Sequence, residues 1–485
     1  DTCPIDQDVP AYMDAVKRGA LDEAAAIVRR DNVMGATLGR ACNHACELTC
    51  VRTHYDQPLA IREIKRFIME NGKDPALKVG APRQGKVAII GAGPCGLSAA
   101  GFLREGGIEV TVVDARGQAG GMTTTTLPQY RSLPAVVQKD VARLEAAGVK
   151  FEFGQVAGRD FTLESLRGAG HGFIVVAAGA QKGMPLGVPG QEAQGVLDGM
   201  EFLRMARDGE LKTLKGRVGV VGGGDVAMDC ARVAKRLGGD AVVIYRRTME
   251  EMPAHREEVV GLLKEGISIQ ELSAPKSVEA VDGKLTGLRC SAMKLGEPDA
   301  SGRRRPVEVP GADFTIGLDF LVAAIGQQPA LEFLDGSGVE RNRKGYIVAD
   351  AVGATSVKDV FAGGDAVNDG PLTLVKAQGD GKRIAAEILR RAAGIPHAPE
   401  AMRCEGGLDL PAEIRKRATR VARVGIPELP AFGRMGFDEV VLTLKKEDAQ
   451  AEAGRCLRCD RFCSICASVC PNHAFLTYQT DAFSA

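Results

Sequence analysis

Lys86-Val87-Ala88-Ile89-Ile90-Gly91-Ala92-Gly93-Pro94-Cys95-Gly96 joins a short apolar run to three glycines spaced G-x-G-x-x-G. The run reads as a buried strand, the small residues after Gly96 as a helix, and Val110-Thr111-Val112-Val113 as the next strand, closing on Asp114. In that setting each glycine has a task. Gly91 permits a tight turn, Gly93 lets backbone approach a pyrophosphate, and Gly96 lets helix pack on strand. Asp114, 18 residues beyond Gly96, is placed to accept from a ribose hydroxyl. A bare glycine pattern is a weak signal, but the strand, helix and acid around it make a dinucleotide fingerprint.

A second copy starts 131 residues later with Arg217-Val218-Gly219-Val220-Val221 and Gly222-Gly223-Gly224-Asp225-Val226-Ala227. Its next strand, Ala241 to Tyr245, ends on Arg246 and Arg247 instead of an acid. Guanidinium groups there suit a ribose 2'-phosphate and favour NADP(H) over NAD(H); the plainer reading is a solvated strand end. A third stretch, Val360-Phe361-Ala362-Gly363-Gly364-Asp365-Ala366, runs a strand into a turn, followed by a helix through Leu389. Such a turn brings Asp365 to a flavin ribityl chain, although alone it is an ordinary Gly-Gly-Asp loop.

Length and composition bound the rest. A chain of 485 residues with 45% apolar content holds about three domains. Lys plus Arg equals Asp plus Glu at 62 each, so net charge gives no argument for nucleic acid or an anionic membrane. No apolar stretch nears the ~18 residues of a membrane span. A cytoplasmic protein is expected, and the opening on Asp1 leaves room for sequence upstream.

Nine of the 13 cysteines fall at the two ends of the chain: Cys3, Cys42, Cys46 and Cys50, then Cys456, Cys459, Cys463, Cys466 and Cys470. Grouping of this kind without secretory features favours metal or cluster ligation over disulfides. Cys459-x3-Cys463-x2-Cys466-x3-Cys470-Pro471 approaches the ferredoxin run C-x2-C-x2-C-x3-C-P, with one residue extra in the first gap. The alternative is zinc held by paired knuckles such as Cys456/Cys459 with Cys463/Cys466. Cys95, Cys230, Cys290 and Cys404 stand singly and read as small core residues. Residues 1 to about 80 repeat apolar positions every three or four residues, as in Val9 to Val16 and Ala60 to Ile68, and read as helical.

Taken together, these motifs resemble the small, NADPH-oxidising subunit of glutamate synthase and the matching half of dihydropyrimidine dehydrogenase. The resemblance covers essentially the whole chain. Besides the runs above it includes Gly120-Gly121-Met122, Pro128-Gln129-Tyr130-Arg131, Glu250-Glu251-Met252-Pro253-Ala254 and Ala324-Ile325-Gly326-Gln327. It implies FAD in the first site, with Gly121, Gly179, Gly364 and Thr373 beside Gly91, Gly93, Gly96, Asp114 and Asp365. It implies NADP(H) at Gly222, Gly224, Asp225, Val226, Arg246 and Arg247, and 4Fe-4S chemistry in the N-terminal helices. Glutamate synthase-type relatives carry eight N-terminal cysteines for two clusters and this chain has four, so one cluster on Cys3, Cys42, Cys46 and Cys50 is expected there. The tail from Phe437 to Cys459 resembles relatives with an added ferredoxin-like cluster, including selenate-reductase-associated flavoproteins. Cys459, Cys463, Cys466 and Cys470 fit that cluster best, with Cys456 competing for a place.

The expected fold is therefore α/β. Two Rossmann-like nucleotide domains in a glutathione-reductase-like arrangement follow an N-terminal α-helical iron-sulfur domain and precede a short C-terminal ferredoxin-like segment. Expected boundaries are 1–80 for the helical domain, 81–200 and 326–400 for the two parts of the FAD domain, 201–325 for the NAD(P) domain, and 401–485 for linker and cluster segment. The expected activity is electron transfer between NAD(P)H, FAD and 4Fe-4S clusters, to or from a partner subunit or ferredoxin, with no side-chain catalyst. A disulfide reductase would need a reactive cysteine pair that neither nucleotide domain supplies. A non-catalytic, cluster-bearing scaffold is the other alternative.

Overall fold

Five helices open the chain: Val9–Arg18, Leu21–Asp31, Gly35–Ala41, Ala45–Leu48 and Ile61–Asn71. The first begins where the Asp8 carboxylate accepts from the Ala11 amide at 3.1 Å. It ends where Gly19, at φ 77°, turns its amide back onto Ala15 and Val16. Tyr12, Met13, Ala15 and Val16 face inward and meet Ile64, Phe67 and Ile68 in one core. The computed structural model describes residues 2–299, 302–368, 370, 372–393 and 410–459.

The two glycine loops sit on two parallel five-stranded sheets. In the first, the strands run Val360–Ala362, Phe173–Val176, Lys86–Ile90, Glu109–Asp114 and Lys150–Phe153 across the sheet. Lys86–Ile90 lies centrally and is buried beyond its first residue, as the apolar run required. The second sheet repeats the plan with Val196–Asp198, Phe320–Ala323, Arg217–Val221, Asp240–Ile244 and Ser268–Gln270. In both, the glycine loop follows a central strand, at the point where the strand order reverses and a crevice opens for ligand. A third sheet was not anticipated from sequence. Ser273–Val281, Lys284–Pro298 and Arg304–Gly317 form an antiparallel meander beside the second domain.

The region after residue 401 departs from the expected linker and separate segment. Among its described residues, Val440 packs into the core of the second nucleotide domain. Leu444, Ala449, Ala453 and Cys456 complete the core of the N-terminal helices instead. The Lys446–Gly454 helix lies against Val9–Arg18, and Glu439 accepts from both Arg40 (2.6 Å) and Arg66 (2.7 Å). The physical reason is apolar area: the short N-terminal helices cannot close a core by themselves. No helix among the described residues is long and apolar enough to cross a membrane.

The nucleotide domains are locked together by Tyr130, which lies between the two glycine loops in sequence. The Arg232 and Arg236 guanidiniums both lie over its ring, 4.4 and 4.1 Å from the ring centre. Its hydroxyl donates to Asp229 at 2.8 Å, and Arg131 donates to the other Asp229 oxygen at 2.9 Å. Glu258 and Glu265 balance the arginines. Tyr130→Phe removes a buried donor and is expected to lower the unfolding free energy by about 1–3 kcal/mol. Asp229→Ala leaves the buried Tyr130 hydroxyl without its acceptor and Arg131 with Glu258 alone, and is expected to cost about 3–5 kcal/mol. Equilibrium urea unfolding of both variants beside the wild type measures the two losses.

Candidate functional site

One cavity of about 1530 Å³ runs between the two glycine loops. Every nucleotide-site residue expected from sequence lines it except Gly96. Gly96 works by packing: a β-carbon there would stand 2.0 Å from the Gly91 carbonyl oxygen. The two loops are built alike. A β-carbon on Gly91 would meet the Ala177 carbonyl oxygen at 2.3 Å, and one on Gly222 the Ala324 carbonyl oxygen at 2.2 Å. Both glycines have positive φ, 109° and 147°. One turn further on, Gly93 and Gly224 face open space, with nothing nearer than the Gly121 α-carbon at 3.9 Å from Gly93. The cradles thus have room for a phosphate at the same position of each loop, at the start of the Pro94–Glu105 and Asp225–Arg236 helices.

Charged groups separate the two halves. In the first, the Asp114 carboxylate accepts from the amides of Ala92 (2.7 Å) and Arg116 (2.8 Å), which fixes it beneath the loop. Burial, with Asp380 close by, pushes the Asp365 carboxyl up to about 6. In the second, the arginine pair is divided. Arg246 is exposed on the cavity wall. Arg247 is buried, with its guanidinium on Asp299 (2.8 Å) and the Arg304 carbonyl (2.7 Å), so it holds the antiparallel meander. Sequence reasoning missed His255. Its backbone amide and ring nitrogen bond to the two oxygens of Asp225, at 2.8 and 2.7 Å, and that bond raises the imidazole pKa. The Glu250–Ala254 motif stops one residue short of it.

The four N-terminal cysteines border two apolar cores. Cys3 and Cys42 pack with Ile5, Leu38 and Val375. Cys46 and Cys50 pack on the helical core that includes Cys456. Tyr12 lies fully buried with no hydrogen-bond partner for its hydroxyl. Burial and the nearby Cys46, Cys3 and Cys42 hold its pKa far above the ordinary tyrosine value. A buried, unpartnered donor among three cysteines fits an anionic sulfur cluster held there. Among the described residues no three His, Cys, Asp or Glu side chains converge on a single-ion site; a cube takes its thiolates at four separate corners. Cys463, Cys466, Cys470 and Cys404 lie outside the described residues. Cys95, Cys230 and Cys290 are buried core residues.

Residues 85–381 match the family described as pyridine nucleotide-disulphide oxidoreductase. Residues 1–76 match the 4Fe-4S domain II of dihydropyrimidine dehydrogenase. The chain is 38% identical over 503 residues to the beta subunit of an NADP(+)-dependent formate dehydrogenase from Moorella thermoacetica, covering 95% of this chain and 70% of that one. It is 35% identical over 507 residues to the beta subunit of an NADPH-Fe(3+) oxidoreductase from Geobacter sulfurreducens, covering 95% and 75%. Mycobacterium tuberculosis FprA in complex with NADPH shares the fold with a TM-score of 0.55 at 14% identity, covering 78% of this chain and 100% of FprA.

The raised Asp365 pKa gives a pH test on the ligand-free protein. The folded carboxyl titrates near 6 against 3.8 for the free group. Its protonated form is therefore favoured by folding, and stability falls as pH rises from about 4 through about 6. The drop is expected to reach at most about 3 kcal/mol, at 1.36 kcal/mol per pKa unit. Asp365→Asn should flatten that part of the profile, read from urea midpoints between pH 4.5 and 7.

Proposed function

Because the chain belongs to the pyridine nucleotide-disulphide oxidoreductase family and carries a 4Fe-4S domain ahead of it, we propose that it relays electrons between NADP(H), FAD and clusters, to or from a partner subunit or ferredoxin. Bound flavin exchanges electron pairs with a nicotinamide and single electrons with a cluster, so it belongs between them. Everything else is the work of this chain's residues. Gly91 and Gly93 bring bare backbone to the FAD pyrophosphate, and Gly96 closes the helix behind them. Asp114 takes the ribose, while Gly121, Gly179, Gly364, Asp365 and Thr373 surround the rest. Gly222, Gly224, Asp225 and Val226 hold the NADP(H) pyrophosphate, and Arg246 takes the 2'-phosphate. No side chain acts as acid, base or nucleophile.

One observation carries the reading. Leu374 lines the nucleotide cavity and also packs against the cluster of side chains that contains Cys3 and Cys42. The contact is close, since a β-carbon on Gly379 of the same helix would stand 2.4 Å from the Pro4 carbonyl oxygen. A cluster at Cys3 and Cys42 would therefore lie beside the wall of the flavin site, which supports the order nicotinamide, flavin, cluster. A cytoplasmic setting suits thiolates that must stay reduced to ligate.

Three results test this. Anaerobic NADPH should bleach a stoichiometric flavin in single turnover and then reduce a cluster; flavin that NADPH leaves yellow would defeat the proposal. Gly93→Val places a branched side chain in the phosphate space, and the purified variant should lack flavin absorbance while keeping its fold by circular dichroism. Arg246→Ala removes a charge-assisted contact worth about 1.5–3 kcal/mol, so KM for NADPH should rise about 10- to 100-fold with KM for NADH unchanged. Arg247→Ala should instead lower stability. Equal losses with both nucleotides from Arg246→Ala would exclude its role.

A further inference from the structure

Arg246 by itself leaves a 2'-phosphate under-compensated. A phosphate monoester carries a charge of roughly −1.5 to −2 near neutral pH, more than one guanidinium offsets. Arg247 does not supply the difference. It is 5% exposed, and its guanidinium is already bonded to Asp299 at 2.8 Å and to the Arg304 carbonyl at 2.7 Å. We propose that the second cation is Arg303, the residue before the Arg304–Gly317 strand of the antiparallel meander, and that it joins Arg246 on the 2'-phosphate of NADP(H). This rests on the nucleotide reading above and adds to it a residue that decides between NADPH and NADH.

Its place on the cavity wall singles it out. Among the described residues, the arginines and lysines lining the nucleotide cavity are Arg116, Arg246, Arg247 and Arg303. Arg116 belongs to the flavin half, where its amide bonds Asp114 at 2.8 Å and its guanidinium reaches Gln181 at 3.4 Å. With Arg247 committed to the meander, Arg303 is the cation that remains beside Arg246. The acids on that half of the wall do not compete for it. Asp225 is held by His255, and Asp229 by Tyr130 and Arg131.

The backbone of Arg303 is also fixed to the strand end that carries Arg246. The meander starts there: the Ser273 amide bonds the Tyr245 carbonyl at 2.9 Å, and the Leu272 amide bonds the Arg247 carbonyl at 3.1 Å. Asp299 then ties the far side. One of its oxygens accepts from the Arg247 guanidinium and the other from the Arg303 amide at 3.3 Å, while its own amide bonds the Arg303 carbonyl at 2.7 Å. Arg247 therefore grips the chain on both sides of Arg303, at Asp299 and at the Arg304 carbonyl. It also neutralises Asp299, the acid bound to the Arg303 amide. A cation whose backbone is already in place loses less freedom when the phosphate arrives. The two adjacent arginines thus divide the work: Arg246 meets the nucleotide, and Arg247 positions the arginine that meets it from the other side.

Calorimetric titration of the purified full chain, flavin in place, with adenosine 2',5'-bisphosphate and with adenosine 5'-monophosphate tests this. The two probes differ only in the 2'-phosphate, and neither carries a nicotinamide. Wild type should bind the bisphosphate more tightly. Arg303→Ala should weaken the bisphosphate by about 10- to 100-fold and leave the monophosphate unchanged. Combined with Arg246→Ala it should erase the preference between the probes. Should the alanine variant fail to fold, Arg303→Gln removes the charge while keeping most of the side-chain length, and the same selective loss is expected. Unchanged bisphosphate affinity overturns the proposal, because Arg246 then serves the phosphate without Arg303. An equal loss for both probes overturns it too, by making Arg303 a structural residue of the meander. A wild type that binds neither the bisphosphate nor NADPH would instead sink the nucleotide reading itself.

Discussion

Tyr130 lies in the stretch between the two glycine loops and is buried in the core of the second nucleotide domain. Electron exchange between two bound nucleotides needs their rings held face to face, and two domains joined only by linkers rotate by default. Here the rotation is opposed by an aromatic ring held against two guanidiniums and by Asp229 shared between Tyr130 and Arg131. The clamp is deeply buried, so added salt screens it weakly. The Val440 amide then bonds the Tyr130 carbonyl at 2.9 Å and ties the C-terminal segment to the same joint. Both glycine cradles, the cavity between them and the cysteine region beyond Leu374 keep their mutual positions because this joint is closed.

The helical domain relies on the same device. Arg29, 1% exposed at its side chain, bridges Asp74 and Asp140 and so pins the N-terminal helices to the Pro134–Ala146 helix of the first nucleotide domain. Arg62 pairs with Glu63 and reaches Glu257 of the second domain. Pairs buried this deeply contribute little net stability against apolar substitutes, yet breaking one is costly. They act as registration pins, and each domain of the chain is held by at least one of them.

What could be read from sequence was what local backbone geometry dictates. The spacing of Gly91, Gly93 and Gly96 means the same thing wherever strand and helix flank it, and Asp114 follows at a set distance. Arg246 and Arg247 were legible as charges but not as individuals, because which of two adjacent guanidiniums is already engaged depends on where Asp299 of a distant hairpin lies. The hairpin itself was hidden. Its strands, Lys284–Pro298 and Arg304–Gly317, are half exposed and bulged, so their apolar alternation is broken. The meeting of Cys50 and Cys456 at one core was least legible of all, since nothing local to either residue speaks of the other across 406 positions.

That separation sets an order of events during synthesis. The first five helices leave the ribosome well before Leu444, Ala449, Ala453 and Cys456, which finish their core. At about 5–20 residues per second the gap is roughly 20–80 s. Through that interval the nascent N-terminal helices present an unfinished apolar face. Closure of that face is thus a signal that translation has passed Cys456, and a nascent chain that stalls before that point leaves its N-terminal domain open to proteases.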